Sequence, residues 1–572
     1  MLSLQTGDTV LGEEREKSRV FVRGARHVEA LSLVLDPQLG RILAGGRSNN
    51  RNNSARDSRS IGTSRGSALA AKNPKALAAS LMAASVRLSA GEGPSNKAAT
   101  SITGMLKFDM VCSDCRIIFR RRSALVFLPI MGPYVDSVTS DEILPPSTGV
   151  CIIGGGIIGT SAALTLASRG IPVVLCEKGY IACEQSSRNW GWCRQAGRDE
   201  REMPLIVESL RLWRDMNQLT ESETGFRTCG VMYVGETQED ENRFASWLDM
   251  ARPYDIGTRI VRGDELKSLM PGASRAYRCA LYVPTDGCAE PQLAAPAIAR
   301  AARRKGAVIL AHCAVRGIER GAGRVSAVIT ERGRIVCDTV ILAAGAWTSL
   351  FCAGLGFRLP QLKVLSSVLR TAPIADGPDA CAYMTDLGYR KRRDGGYTIA
   401  RGSGYVVPIV PDSLRYLREF LPTIRKEAAA LKPRLNAQSL FEFRAPRQWR
   451  LDRPSPFEKI RVLDPAPNRA MNREALDAMI RLYPRFRDVP VVQQWGGYID
   501  VTPDVVPYIS GTGELPGLTV ATGFSGHGFG IGPGAGQLAA DLATDHPPLV
   551  APEPFRASRF SDGSPIVIGP EI

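Results

Sequence analysis

The segment VCIIGGGIIG, from Val150 to Gly159, constrains this chain more than any other stretch. Four residues with strand character run straight into glycines 154, 156 and 159, the GxGxxG spacing, and then into TSAALTLASRG, which reads as a helix. The first glycine permits a tight turn, the second lets backbone approach a pyrophosphate, and the third lets the helix pack close to a sheet, while the helix N-terminus attracts phosphate charge. A second strand-like run, VVLCE, ends at Glu177, 18 residues beyond Gly159, where a carboxylate can accept hydrogen bonds from a ribose. Strand, turn, helix and strand make a βαβ opening, which implies a parallel sheet and a bound dinucleotide. Spacing alone leaves NAD and FAD both open.

With 572 residues, 44% of them hydrophobic, the chain can bury one large or two ordinary cores. Its net charge of +15 is concentrated at one end, since residues 1–130 hold 20 basic and 10 acidic side chains. The rest is nearly balanced, with no basic, aromatic-bearing docking motif, so nucleic acid is not an expected partner. Thirteen scattered cysteines suggest no disulfide framework and suit a reducing, cytoplasmic setting. The CxxC pair Cys112 and Cys115 lacks a second pair or nearby histidines to complete a metal site and reads as coincidence. An uncharged run from Ile143 to Ser168 is long enough to cross a bilayer, but its five glycines and the preceding Pro145 and Pro146 fit strand, turn and helix better. Six acidic residues among the first 36 argue against a secretory signal. No transmembrane segment is expected, while peripheral membrane association stays compatible.

Residues 1–130 read as a disordered extension. Gly45 to Gly66 is Arg, Ser, Asn and Gly with almost nothing apolar. Residues 68–90 are Ala-rich enough for a weak helix, and residues 41–107 have the Arg- and Ser-rich composition of a transit peptide, but an upstream extension with Met131 as functional start is the preferred reading. Beyond Met131, PQLAAPAIARAARRKGA reads as an amphipathic helix, VIL and VSAVITERGRIVCDTVILAAG as strands, and Asp394-Gly395-Gly396 as a hairpin turn. Residues 412–433 read as a basic helix with a solvated face.

Four separated motifs, IIGGGIIG to CEK at 152–178, SSRNWGW at 186–192, VILAAGAW at 340–347, and WGGYIDVTPDVVPYI with ATGFSGHGFGIGP, together resemble the FAD-dependent D-amino-acid oxidase superfamily over roughly residues 132–550. The resemblance implies an α/β fold: a Rossmann-like FAD-binding domain of the D-amino-acid oxidase and glutathione-reductase kind, drawn from 145–225, 285–355 and 490–550, with a mainly antiparallel substrate domain from 226–284 and 356–489 and a tail from 551 to 572. It implies FAD as cofactor, with Gly154, Gly155, Gly156, Ile157, Ile158 and Gly159 at the pyrophosphate, Glu177 at the ribose and Lys178 beside it. Ser186, Ser187 and Arg188 fall where the family contacts phosphate and ribityl groups, Val315 where backbone meets adenine, and Gly345 and Trp347 under the cofactor. Gly526, His527, Gly528, Phe529 and Gly530 would bring amides and a helix N-terminus to the flavin ring, where negative charge develops on reduction.

No general acid or base stands out; His527, Tyr498 and Trp190 are flavin-proximal candidates, and Trp190, Trp192 and Trp495 candidate walls of a substrate cavity. The resemblance implies oxidation of the C–N bond of a small amine or amino acid (D-, N-methyl or cyclic), with hydride passing to flavin and the imine then hydrolysed. The position of the flavin-attaching histidine of dimethylglycine dehydrogenases holds Asn189, and no cysteine follows Cys381, so noncovalent FAD is expected. The arginine that holds substrate carboxylate in glycine and D-amino-acid oxidases is missing before the TPD stretch, which leaves Arg390 or Arg401 to supply it, or Asp500 to hold a cationic group instead. The electron acceptor (oxygen, quinone or protein), and a homo-oligomeric or multisubunit state, stay open. The rival readings are a nicotinamide dehydrogenase, which leaves SGHGFGIGP without a purpose, an FAD-binding electron-relay subunit of a multisubunit amine or opine oxidase, and an interaction protein acting through its basic tail.

Overall fold

The structure, a computed structural model, describes residues 132–569. Cys112, Cys115, Met131 and the extension before them lie outside the described residues. The first sheet has six strands in the order Tyr508–Gly511, Leu518–Thr522, Thr339–Leu342, Val150–Ile153, Val173–Cys176, Val308–Leu310. All neighbours are parallel except the edge pair Tyr508–Gly511 and Leu518–Thr522. The adjacent strands VCII and VVLC are buried at every position, as expected of parallel strands covered on both faces.

Helix Ile157–Ser168 follows the first strand and packs against helices Pro291–Arg304 and Gly528–Ala543. It takes up only the last 12 residues of the uncharged run that is long enough for a bilayer, whose earlier part forms strand Val150–Ile153 and the glycine turn. Among the described residues no helix is long and apolar enough to cross a membrane. The close approach of Gly528–Ala543 depends on missing side chains: a Cβ on Gly532 would lie 2.7 Å from Ile157 and one on Gly536 2.5 Å from the Ser161 Cβ.

A ten-stranded, mainly antiparallel sheet carries the other half of the cavity, with Leu362–Thr371 and Val491–Val501 paired along almost their whole length. Val491–Val501, expected in the cofactor domain, therefore belongs to the larger sheet. The Asp394-Gly395-Gly396 hairpin forms between Leu387–Lys391 and Tyr397–Ala400. The expected helix over 412–433 is broken: helices Pro411–Arg415 and Leu417–Lys426 give way to strand Leu431–Arg434. Pro433 removes an amide and pushes Lys432 out of the helical region, which accounts for the change. The segment from 551, read as a tail, docks by burying Phe555 and by the buried ion pair of Arg559 with Asp504, at 2.9 and 3.0 Å.

Candidate functional site

The glycine turn is shaped by contacts that no side chain would tolerate. Gly154 has φ +113 and a Cβ there would stand 2.4 Å from the Ala343 carbonyl oxygen, while one on Gly159 would stand 2.0 Å from the Gly154 carbonyl oxygen. A Cβ on Gly156 would meet only Ser186 Oγ, at 3.0 Å, and would project into the cavity that starts here. The helix N-terminus has no side-chain cap; Ser186 Oγ accepts the Ile157 amide at 2.9 Å. Glu177 is buried and its two oxygens accept the amides of Gly155 and Gly179, both at 2.7 Å, which aims the carboxylate along the turn. Burial raises its pKa.

From this turn a cavity of about 1100 Å³ runs between the two sheets, above the usual range of roughly 300–1,000 Å³ for small-molecule pockets. Of the expected cofactor residues, Gly154, Gly156, Ile157, Ile158, Glu177, Lys178, Ser186, Arg188, Val315, Gly345, Trp347, Gly526, His527, Gly528, Phe529 and Gly530 line it. Gly155, Gly159 and Ser187 do not: the first two shape the turn from behind, and the Ser187 hydroxyl donates to the Glu184 carbonyl at 3.2 Å. Lys178 is bound to Glu184 at 2.6 Å and lies 4.5 Å from the Trp347 ring centre, so it braces the wall. The Arg188 guanidinium is committed to Asp464 at 2.6 Å and to the Gly496 carbonyl at 3.0 Å, which leaves a structural role in place of the expected phosphate contact. Asn189 bridges its own turn through Gln185, Ser186 and Gly191.

Gly526 turns at φ +86 and His527 starts helix Gly528–Ala543, which also has no side-chain cap. Two glycine-led helix N-termini thus border one dinucleotide-sized cavity. Such termini favour anionic groups, so these residues fit an FAD pyrophosphate and flavin ring.

The substrate half was only partly visible in the sequence. Trp190, Trp192 and Tyr498 line the cavity as expected, whereas Trp495 is buried elsewhere and donates to the Arg188 carbonyl at 3.0 Å. Tyr233 and Tyr383, unsuspected, continue the wall: ring centres lie 5.1 Å apart for Trp190 and Trp192, 6.3 Å for Trp190 and Tyr383, and 5.2 Å for Tyr383 and Tyr233. Burial pushes the Tyr498 phenol up to about 12, so it stays neutral.

Neither proposed carboxylate ligand reaches this space. Arg390 is buried in a bidentate pair with Glu290 at 2.8 and 3.1 Å, and Arg401 pairs with Glu474. Asp500 also serves internally, accepting from Gly523, Gln361 and Thr522 at 2.8, 2.9 and 3.1 Å. Beside the aromatic wall the cationic lining includes instead Arg194 and Arg198. Arg194 lies 5.4 Å from the Tyr233 ring centre and, among the described residues, has no carboxylate within ion-pair distance. Arg198 is fully buried and its pKa falls to about 10, because burial disfavours the charge.

Glu202 lies beside Arg198 at 3.7 Å and beside His527 Nδ1 at 3.3 Å. Burial opposes its ionisation, yet His527 and Arg198 hold its pKa below the usual range. Burial, then the Arg198 charge, presses His527 below its ordinary value, so the imidazole is neutral near pH 7. Arg194, Arg198 and Glu202 are four apart in RQAGRDERE; that spacing was the available signal, but these residues lie on a loop and a single 3₁₀ turn, so no helical face announced them.

Two packed sheets, a shared dinucleotide-sized cavity and uncapped glycine-led helices define a flavin-dependent oxidoreductase fold, and the chain belongs to this family: residues 149–542 match the family model described as FAD dependent oxidoreductase. Among individual proteins, it is 27% identical over 430 residues to 4-methylaminobutanoate oxidase (formaldehyde-forming) of Paenarthrobacter nicotinovorans, a match covering 74% of this chain and 47% of that protein. The chain thus spans about half the length of that relative. It is 25% identical to sarcosine oxidase subunit beta of an Arthrobacter species, over 73% of this chain and 92% of the other. The solved L-amino acid deaminase from Proteus myxofaciens, in complex with anthranilate, superposes with a TM-score of 0.72 and 32% identity, covering 75% of this chain and 97% of that one.

Proposed function

We propose that the protein oxidises the C–N bond of a small amino acid or N-alkyl amino acid, with noncovalently held FAD. The observation that carries this reading is the position of Arg194, which has no carboxylate partner among the described residues, beside the aromatic wall of the same cavity that the glycine turn lines. When bound, FAD supplies the hydride acceptor. Arg194 would hold the substrate carboxylate, since an arginine fork is the natural partner of that group. Trp190, Trp192, Tyr233 and Tyr383 would exclude water and fix the carbon chain, and Tyr498 would face the substrate as a neutral hydrogen-bonding group. Neutral His527, held against Glu202, would accept a proton from the incoming ammonium, so that the amine is neutral when it reacts. Asn189 is an amide fixed in its turn and offers no nucleophile, which supports noncovalent binding.

The relatives support the substrate class, because 4-methylaminobutanoate and L-amino acids both join an amine to a carboxylate. The L-amino acid deaminase widens the expected D-, N-methyl and cyclic amino acids to the L series. Likeness to a sarcosine oxidase subunit supports a second reading, an FAD-binding electron-relay subunit that needs a partner chain.

The test is an anaerobic absorbance spectrum of the full chain loaded with FAD, before and after L-, D-, N-methyl and cyclic amino acids. Bleaching of the flavin bands by one class supports the first reading and names the substrate. Bound flavin that no amine bleaches supports the relay subunit, and failure to retain FAD overturns both. Acid precipitation then tests the attachment: noncovalent FAD stays in the supernatant.

A further inference from the structure

Three thiols meet on the far side of the substrate wall, where the mechanism has no use for them. Cys229 lies between strands Arg227–Thr228 and Val231–Gly235, Cys288 ends strand Gly287–Cys288 and Cys381 begins strand Cys381–Met384, and their sulfurs all lie within 4.8 Å of one another. Cys229 Sγ stands 3.6 Å from Cys288 Sγ and 3.7 Å from Cys381 Sγ. The backbone holds this cluster in place: the Cys229 and Gly230 amides both donate to the Asp286 carbonyl, at 3.1 and 2.9 Å, and the Cys381 amide to the Gly230 carbonyl at 3.0 Å. Cys288 pairs on one strand side with Trp192 and on the other with Arg227.

Two guanidinium groups stand close to the cluster. Cys288 accepts an S–H from Cys229, and the cluster borders the guanidinium groups of Arg390 and Arg227. Arg390 is neutralised by Glu290, but Arg227 donates to the carbonyls of Asp379 and Lys391 at 3.4 and 3.3 Å and has no carboxylate within ion-pair distance among the described residues. Cys288 and Cys381 are buried, whereas Cys229 is half-buried and opens a path from solvent.

We propose that Cys229, Cys288 and Cys381 form a three-coordinate site for a thiophilic monovalent d¹⁰ cation, copper(I). A metal–sulfur bond of roughly 2.3 Å places ligand sulfurs about 3.8–4.0 Å apart in tetrahedral or trigonal geometry, so the two separations from Cys229 need to change by only a few tenths of an ångström and the third, within 4.8 Å, by less than about 1 Å. Soft thiolates select copper(I) or zinc, and zinc in structural sites takes four ligands. No histidine or carboxylate joins the three sulfurs among the described residues, which favours copper(I) over zinc(II). Binding displaces the thiol protons, and Arg227 offsets part of the thiolate charge.

The full chain, FAD-loaded and reduced, with C112S and C115S to remove the other cysteine pair, is titrated anaerobically with copper(I) against a bathocuproine chelator. One copper retained per chain, with an absorption-edge spectrum showing three sulfur ligands, is the expected result; C288S and C229S should lose it while keeping the flavin spectrum. Should those variants fail to fold, the unsubstituted cluster still decides: one equivalent of copper(I) should slow N-ethylmaleimide labelling of Cys229, Cys288 and Cys381 taken together, measured at pH 8 and mapped by mass spectrometry, by at least about ten-fold, because a metal-held sulfur is withdrawn from the reagent. Unchanged labelling, or copper surrendered equally by parent and C288S chains, overturns the site. Retention of zinc(II) with loss of copper(I) overturns the three-coordinate assignment.

Discussion

At the scale of single residues, the cavity divides into glycines that had to be absent side chains and charges that had to be placed. Arg194 offers a direct measurement. Arg194→Ala should raise KM for a carboxylate-bearing substrate by about 10- to 100-fold, the worth of a charge-assisted hydrogen bond, with kcat changed only a few-fold. Steady-state kinetics on the substrate found in the bleaching assay reads this split. His527 makes a second prediction. Its folded pKa lies below its unfolded value, so the unfolded chain binds more protons as pH falls through about 6.5, and stability is lost in that window. The thermal midpoint of the FAD-loaded protein should therefore drop on acidification from pH 7.5 to 5.5, and His527→Asn should flatten the upper part of that slope. The glycines of the turn were legible because backbone geometry dictates them, and so were Trp190 and Tyr498. Arg194, Glu202 and Tyr233 were not, since a single cation in a loop carries no pattern until folding sets it beside an aromatic wall. Arg390 misled for the converse reason: its burial with Glu290 is a tertiary fact with no local trace.

At the scale of elements, hydrophobic period and glycine punctuation carried most of the reading. The strands at 150, 173, 308 and 339 stand where alternation or full burial placed them, and the Asp394-Gly395-Gly396 hairpin formed because its turn residues leave few alternatives. The exceptions are stretches where proline and tertiary pairing compete with propensity, as between Leu417 and Arg434, or where a strand changes sheets, as with Val491–Val501. The glycine-spaced helix Gly528–Ala543 is the element most exposed to perturbation. Gly536→Val would force a side chain into Ser161 and the Ile158 carbonyl, and it should destabilise the fold by about 3 kcal/mol, the upper range for overpacking. Chemical denaturation with and without FAD reads the loss, which should appear in both.

At the scale of the whole molecule, the segment after residue 550 is part of the fold. Arg559→Ala would leave Asp504 buried with only Arg201 at 3.2 Å to compensate it, and unfolding free energy should fall by about 3 kcal/mol. Urea denaturation checks the value. This segment also crosses near the cavity: Lys426 and Arg201 donate to the carbonyls of Gly569 and Val567 at 2.7 and 2.9 Å, and Ile568 and Gly569 line the space. The segment from 551 to 572 was read as a tail, and the buried Arg559 and Phe555 show that it is docked instead.

The strand Val491–Val501 has a wider consequence. It is zipped along Leu362–Thr371 in one sheet, while Asp500, near its end, is bolted to Thr522 and Gly523 of the other. A hinge between the two halves would have to shear this seam, so opening like a pair of jaws would cost the whole length of the pairing. The short helices from 411 to 426 and the strap through Gly569 border the cavity without being part of that seam.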